Sequence, residues 1–403
     1  MKVLILGGGA GGMLAALSAA EDGNAVTVLE RQNRVGRKLL ATGNGRCNLT
    51  NLHAEPARYH GQSPQFVRCA LERFSVERTL DFFHELGLYT VAESDGKVYP
   101  LSDQANSVVD VLRFAMEQRG VQVITGQDII SAGTKARGFT AVAATGECYY
   151  GDKLIVAAGG CAGKNLGGTK SGYKLLGAFG HSCTALHPAL VQIKTDPRAI
   201  RGWKGIRADC ALTLKEDGHA VAQDAGEVQF TEYGVSGPVA FSLSRRVSVG
   251  AGEQLLLADF LRNTGESELR EALTARAARF PDLPAEQLLT GMVNSRLGQS
   301  LVRDCGVELQ TPLRSLTGEQ LAQIAHRIKF APLPVEGVLG MEHAQVTAGG
   351  VPTAEFRADT LESRKCPGLF ATGEVLDVDG DCGGFNLQWA WSSGYVAGKL
   401  GKL

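Results

Sequence analysis

The chain opens on a short apolar run, residues 2–6 (KVLIL), in which Val3 to Leu6 are consecutive apolar residues, followed by a glycine-rich turn, a helical stretch over 13–20 and a second apolar-rich run over 25–30 (AVTVLE). Apolar residues at consecutive positions belong to strands buried on both faces, as the central strands of a parallel sheet are. Residues 64–88 change period. Phe66, Cys69, Ala70, Phe74, Leu80, Phe83 and Leu86 recur at near-helical spacing and predict a helix with one apolar side. Residues 108–118 repeat that pattern until Gly120 stops it. A strand over 121–125 and an alternating stretch over 128–150 follow, the latter reading as a small meander with a turn near 136–138. Residues 154–160 (LIVAAGG) return to a buried strand that ends in glycines.

From His187 the texture shifts to short strands, at 189–193, 208–215, 227–230 and 254–259. Residues 266–327 then read as several helices interrupted by Pro281, Pro284 and Pro312, before Pro332 and Pro334 bring the chain back. The last third ends on apolar strands at 346–351 and 368–374 and an apolar stretch that Gly383 and Gly384 open. The pattern predicts an α/β fold in which both chain ends build one domain. The segments are 1–187 and 346–403 for that domain, 188–262 and 330–345 for a β-rich insert, and 263–329 for a helical subdomain.

At 403 residues the chain exceeds one compact core and allows two or three domains. Its net charge of −1 supplies no global field for nucleic acid or an anionic membrane, so neither is expected as a partner. Apolar stretches are interrupted by glycine and fall short of the ~20 residues a membrane span needs. The first strand begins at once, with no signal peptide visible, and a cytoplasmic protein is expected. Nine cysteines, an odd number without C-x-x-C spacing, speak against a zinc ribbon or a close-spaced redox disulfide. Asp377, Asp379 and Asp381 lack the glycine and glutamate of an EF-hand loop, so no metal is expected. Oligomeric state cannot be read from the sequence.

The abundance of glycine, 51 residues, directs attention to phosphate-hugging turns. Gly7, Gly9 and Gly12 stand in the order G-x-G-x-x-G, with Ala10 and Gly11 between the last two. They suit a tight turn, backbone approach to a pyrophosphate, and close helix–strand packing, respectively. Glu30 ends the second strand, where a carboxylate accepts ribose hydroxyls, and Arg31 follows it. Residues 36–51 (GRKLLATGNGRCNLTN) then form a loop that must pass the phosphates. Its candidates are Arg37, Lys38, Leu39, Gly43, Asn44, Gly45, Arg46, Cys47 and Asn48, although a mobile surface loop has the same composition. Cys47 and Cys382 read as packing residues rather than nucleophiles. Ala157 and Gly159 close the 154–160 strand. At the other end Gly373, Glu374 and Asp379 lead to Gly383 and Gly384, whose unpaired N–H groups, with those of Phe385, Asn386 and Leu387, suit an electron-rich ring edge.

Four segments together resemble the HI0933-like (YhiN-like, BaiN-like) flavoproteins: GRKLLATGNGRCNLTN at 36–51, FTEYGVSGP at 230–238, VTAGGV at 346–351 and PGLFATGEVLDVDGDCGGFNLQWAWSSG at 367–394. The resemblance implies bound FAD and a Rossmann-like (GR2-type) FAD-binding domain, interrupted by a β-rich insert that carries a helical subdomain. Glu232 departs from it, standing where many relatives carry histidine. No second G-x-G-x-x-G sits in a βαβ setting, so NADH or NADPH is expected to dock transiently as reductant.

Substrate chemistry on a flavin needs a carbon held near N5 and a proton relay. Arg46, Arg207 and Tyr233 are the catalytic candidates. Tyr173, His187, Arg198, Arg201, Lys204, Glu232 and Gln388 complete the polar groups considered. The basic turn 198–207 (RAIRGWKGIR) suits an anion, or is simply a solvated turn. BaiN-like members imply NAD(P)H-driven reduction of a small-molecule enone of bile-acid or steroid type. Alternatives are an oxygen-using amine or aminoketone oxidase, and an RNA-associated flavin-binding protein.

Overall fold

The structure is a computed structural model that describes residues 1–136 and 138–402. Arg137, inside the turn expected near 136–138, and Leu403, the last residue of the expected 346–403 segment, lie outside the described residues. Two compact units result: Met1–His187 together with the chain from Ala344 onward, and Pro188–His343.

The first unit is built on a five-stranded sheet whose strand pairings are all parallel. β1 (Lys2–Leu6) lies at its centre, followed in chain order by α1 (Ala10–Glu21) and β2 (Ala25–Glu30). Leu369–Ala371, Lys153–Val156, β1, β2 and Gln122–Thr125 stand side by side in that order. Strands from both chain ends therefore share one sheet. Val3, Leu4, Ile5 and Leu6 are all buried, as their unbroken apolar run requires. Strands Ile129–Lys135, Gly138–Ala143 and Cys148–Gly151 form the antiparallel meander. A further small sheet joins Thr50–Asn51, Lys97–Pro100 and Thr90–Ala92.

The helix expected over 64–88 is divided. The helix predicted over 64–88 is a short 3-10 turn and two helices, Val67–Arg73 and Val76–Glu85. Ser75 starts the second by accepting the Arg78 N–H, so capping chemistry overrides the continuous apolar period.

α1 and the helix Phe385–Gly398 pack so closely that glycine is needed at the contact. A Cβ on Gly394 would lie 2.5 Å from the Gly11 carbonyl oxygen, and one on Gly398 2.5 Å from that of Ala15. Among the described residues no helix is long and apolar enough to cross a membrane.

The second unit is a closed six-stranded barrel, in the order Ile193–Thr195, Gly234–Ser236, His219–Phe230, Arg207–Glu216, Gln254–Asp259 and Ala331–Val338. Helix Pro238–Val249 lies among these strands, where only strands and turns were predicted. Three more helices, Glu266–Arg279, Ser295–Asp304 and Gly318–Lys329, fill the region between the last two barrel strands. Barrel and helices share one apolar core, which holds Trp203 and Phe230 together with Leu297 and Leu301.

Candidate functional site

Within the first unit a cavity is lined by residues from both chain ends. Gly7–Gly11, Glu30, Gln32 and Gly36–Leu39 form one wall, and Thr372–Glu374, Asn386, Leu387, Trp389 and Ala390 another. Ala157–Gly160 and Leu166–Gly168 close it.

The glycines here do specific steric work. Gly7 has φ +107°, and a Cβ there would strike the Ala157 carbonyl. A Cβ on Gly12 would strike the carbonyl of Gly7. Gly9 instead faces open space, with nothing within 4 Å of where its Cβ would lie. It is the N-cap of α1, which carries no side-chain cap and no acidic residue in its first turn. The helix N–H groups and positive dipole end are thus left for an anion.

Glu30 stands at the same end. Its Oε2 accepts the Gly8 N–H at 2.6 Å and its Oε1 the Gln32 N–H at 2.7 Å. Each oxygen keeps further lone-pair capacity for a ribose hydroxyl. Arg31 donates to the Gly167 carbonyl at 2.8 Å, which fastens the 161–168 loop beside the cavity. Arg37 donates to Gln32 Oε1 at 2.5 Å. Lys38 Nζ meets Glu374 Oε2 at 2.7 Å, and Glu374 Oε1 accepts the Thr347 N–H at 2.9 Å. That carboxylate ties together three distant chain segments. Leu39 is buried and lines the cavity.

The loop beyond is tightly wound. Gly43, Asn44, Gly45 and Cys47 all have positive φ, a conformation that costs a non-glycine residue roughly 1 kcal/mol and that concentrates at functional positions. Arg46, placed as both catalytic and cofactor-binding candidate, is heavily engaged: it pairs with Asp103 and Glu93 and lies 4.0 Å over the Tyr99 ring. Burial pushes the Cys47 thiol up to about 12, so it packs and does not attack. Asn48 lies against Gly384, where a Cβ would also press on the Thr50 carbonyl.

Helix Phe385–Gly398 starts at Gly384, φ +101°, again without a side-chain cap. The Asn386 side chain is committed to the Gly380 N–H and carbonyl, both at 2.8 Å, so its backbone is what it offers the cavity. The helix is pinned from inside. Trp389 donates to the Gly373 carbonyl, Trp391 to that of Leu49, and Ser393 Oγ accepts the Gly373 N–H. Gln388, a substrate-group candidate, is fully buried and bonded to Thr50, Thr79, Phe74 and Ser392. It is a structural residue. Asp379 is buried in a two-residue strand paired with Tyr59–His60. Asp377 accepts the Gln62 N–H and Asp381 holds His60 and Arg58.

The remaining candidates divide between the units. Tyr173, in the first, is buried. Burial, then the nearby Glu374 charge, pushes its hydroxyl pKa up and keeps it protonated. In the second unit Arg207 meets Glu227 at 3.7 Å, Lys204 pairs with Glu232, and Arg198 pairs with Asp196. Trp203, at the heart of that basic turn, is buried against Phe230 and Phe260 rather than exposed for a ligand. Tyr233 is half-buried, and its carbonyl accepts the Thr195 N–H.

The cavity fits FAD. One end offers a carboxylate with lone pairs to spare for ribose hydroxyls, the middle a glycine-lined helix N-terminus, and the other end a second uncapped helix N-terminus. Sequence reading missed several lining residues, among them Gly8, Gln32, Thr42, Leu166, Gln345, Thr372 and Val378. Gln32 and Thr372, each two positions from a recognised acid, and Gly8 and Thr42, inside recognised motifs, carried a local signal.

The chain resembles several known proteins. The pattern of the HI0933-like protein Rossmann domain matches residues 1–400. A 3-dehydro-bile acid Δ(4,6)-reductase of Clostridium scindens is 40% identical over 99% of this chain and 98% of its own length. A ribosomal RNA dihydrouridine synthase of Escherichia coli is 31% identical over 98% of this chain and 96% of its own. Among solved structures, a 3-ketosteroid-Δ4-(5α)-dehydrogenase from Rhodococcus jostii covers 99% of this chain and 96% of its own at 14% identity, with a TM-score of 0.49. The chain belongs to the HI0933-like family and is an FAD-dependent oxidoreductase.

Proposed function

We propose that the protein reduces a carbon–carbon double bond conjugated to a carbonyl in a small, steroid-like enone, with NADH or NADPH as the source of electrons. The observation that carries this reading is the match, over nearly the full length of both chains, to a reductase named for an unsaturated bile acid. The dihydrouridine synthase name supports the same reaction class, because the bond lost in forming dihydrouridine is also conjugated to a ring carbonyl. FAD, when bound, supplies hydride from N5 to the β-carbon.

The chain's own residues supply binding and order. Glu30 would hold the ribose hydroxyls of FAD, and the α1 N-terminus would hold its pyrophosphate. The uncapped N-terminus of Phe385–Gly398 would offer its backbone N–H groups to the redox half of FAD. Lys38 and Glu374 join the two walls of the cavity. Arg46 is the candidate substrate-contacting group of the first unit, and Tyr233 and Arg207 are those of the second.

Uridine in ribosomal RNA is the second reading, favoured by the Escherichia coli relative. The carboxylate partners of Arg198, Lys204 and Arg207 weigh against it, since they neutralise the basic turn that would meet phosphates. The test is anaerobic incubation of the FAD-loaded protein with NADH or NADPH and either a 3-oxo-Δ4 steroid or a uridine-rich RNA fragment. Gain of two hydrogens by the steroid supports the proposal; gain by the RNA alone replaces it with the second reading.

A further inference from the structure

We infer that Lys97 and Asp95 together set the electron affinity of the bound flavin, with Lys97 raising it and Asp95 restraining it. The inference rests on the reading that the cavity holds FAD with its redox half at the N-terminus of Phe385–Gly398.

The placement follows from the cavity itself. It runs from Glu30 to Asn386 and Leu387. Glu30 takes the ribose of the adenosine half, so the redox half belongs at the opposite end. Strand Lys97–Pro100 reaches that end through Asn51, which pairs with Lys97 in the sheet and donates its side-chain amide to the Gly383 carbonyl at 2.8 Å. Lys97 then lies directly against Gly383. A Cβ on that glycine would stand 3.2 Å from Lys97 Cε and 3.6 Å from its Cγ. Gly383 has φ +117°, so its bare backbone both makes the turn and admits the lysine stem.

The ammonium is held, not floating. Lys97 Nζ meets Asp95 Oδ2 at 2.5 Å, and three-quarters of the lysine side chain is covered, with 26% exposed. Burial alone disfavours its charge, but the Asp95 hydrogen bond and charge outweigh this and keep it protonated. Asp95 correspondingly stays ionised: the Lys97 interactions overcome the effect of burial. Reduction by two electrons and one proton leaves one added negative charge on the ring. A fixed cation at this end stabilises that charge, and a fixed anion opposes it.

The test uses the FAD-loaded full chain with Lys97→Met, Lys97→Arg and Asp95→Asn, titrated anaerobically with dithionite beside a reference dye. Lys97→Met is expected to lower the ratio of reduced to oxidised flavin at a given dye poise by about tenfold, as a unit charge at partly buried range does. Lys97→Arg should stay near the wild type, and Asp95→Asn should shift the ratio the other way. A purely structural pair would move both single variants in the same direction. That outcome, or no shift in either with FAD still bound, overturns the inference. If Lys97→Met fails to fold, Asp95→Asn decides alone: a ratio unchanged or lowered refutes it. No enone enters this titration, so failure of the wild type to reduce enones would sink the proposed function and leave this result readable.

Discussion

Replacing Gly394 by alanine puts one methyl group between the two helices whose N-terminal residues line the cavity. The added Cβ would sit 2.5 Å from the Gly11 carbonyl oxygen and 3.2 Å from both the carbonyl carbon and Cα of Gly11. Those are backbone atoms of a buried helix, so no side chain can swing aside. Contact needs about 3.5 Å, and the helices must therefore part by roughly 1 Å along that direction. Overpacking of this kind costs about 1–3 kcal/mol. The same movement displaces the α1 N-terminus from the Phe385–Gly398 N-terminus, so FAD affinity should fall at least about tenfold, the equivalent of ~1.4 kcal/mol. Gly177→Ala is the control, since nothing lies within 4 Å of a Cβ there. It should be neutral or gain about 0.4–1 kcal/mol. Urea unfolding followed by tryptophan fluorescence reads stability, because Trp389 and Trp391 sit in the perturbed helix. Flavin fluorescence reads affinity. A Gly394→Ala protein as stable as the control, with unchanged FAD affinity, would refute the claim that this helix contact fixes the site.

Glu30→Ala removes the acceptor for ribose and leaves the Gly8 and Gln32 N–H groups without their carboxylate partner; FAD affinity should fall by about 1–3 kcal/mol, and titration with free FAD checks it. Glu355 predicts an acid-sensitive contact. Burial by itself raises its pKa, but hydrogen bonds from Lys365, Ser182 and His181 prevail and bring it from 4.5 to about 2. A depressed carboxylate stabilises the fold fully above pH 4.5 and loses that contribution as pH falls from 4.5 toward 2. The melting temperature of Glu355→Gln should therefore fall less steeply over that window than the wild type's, and parallel curves would discard the assignment.

Much of the cofactor cavity was legible because its signals are local. The run 2–6, the glycine spacing and Glu30 all sit within one strand–turn–helix–strand unit, where each residue type has a steric or electrostatic reason. The α/β fold with a β-rich insert was legible on the same grounds, from changes of hydrophobic period. Other features depend on contacts far along the chain. Nothing in 207–259 announces that its strands close on Ala331–Val338 as a barrel, since closure is a matter of register. Helix Pro238–Val249 was missed although Gly237 followed by a proline at its start is a readable helix opening. Lys97 escaped notice because a lysine after Asp95 and Gly96 reads as a solvated hairpin. Its meaning depends on Gly383, nearly three hundred residues away. Arg46 shows the converse: its charge was legible, but the two carboxylates and the ring that hold it were not.

The central claim, that the flavin of this protein passes its electrons to a conjugated double bond, is tested most directly by reoxidation. The FAD-loaded protein is photoreduced without oxygen, and absorbance near ~450 nm, where oxidised flavin absorbs, is followed after mixing with a steroid enone or with air-saturated buffer. The expected result is rapid return of colour with the enone, accompanied by the saturated ketone, and slow return with air. Rapid return with air and none with the enone would contradict the account and point to an oxidase.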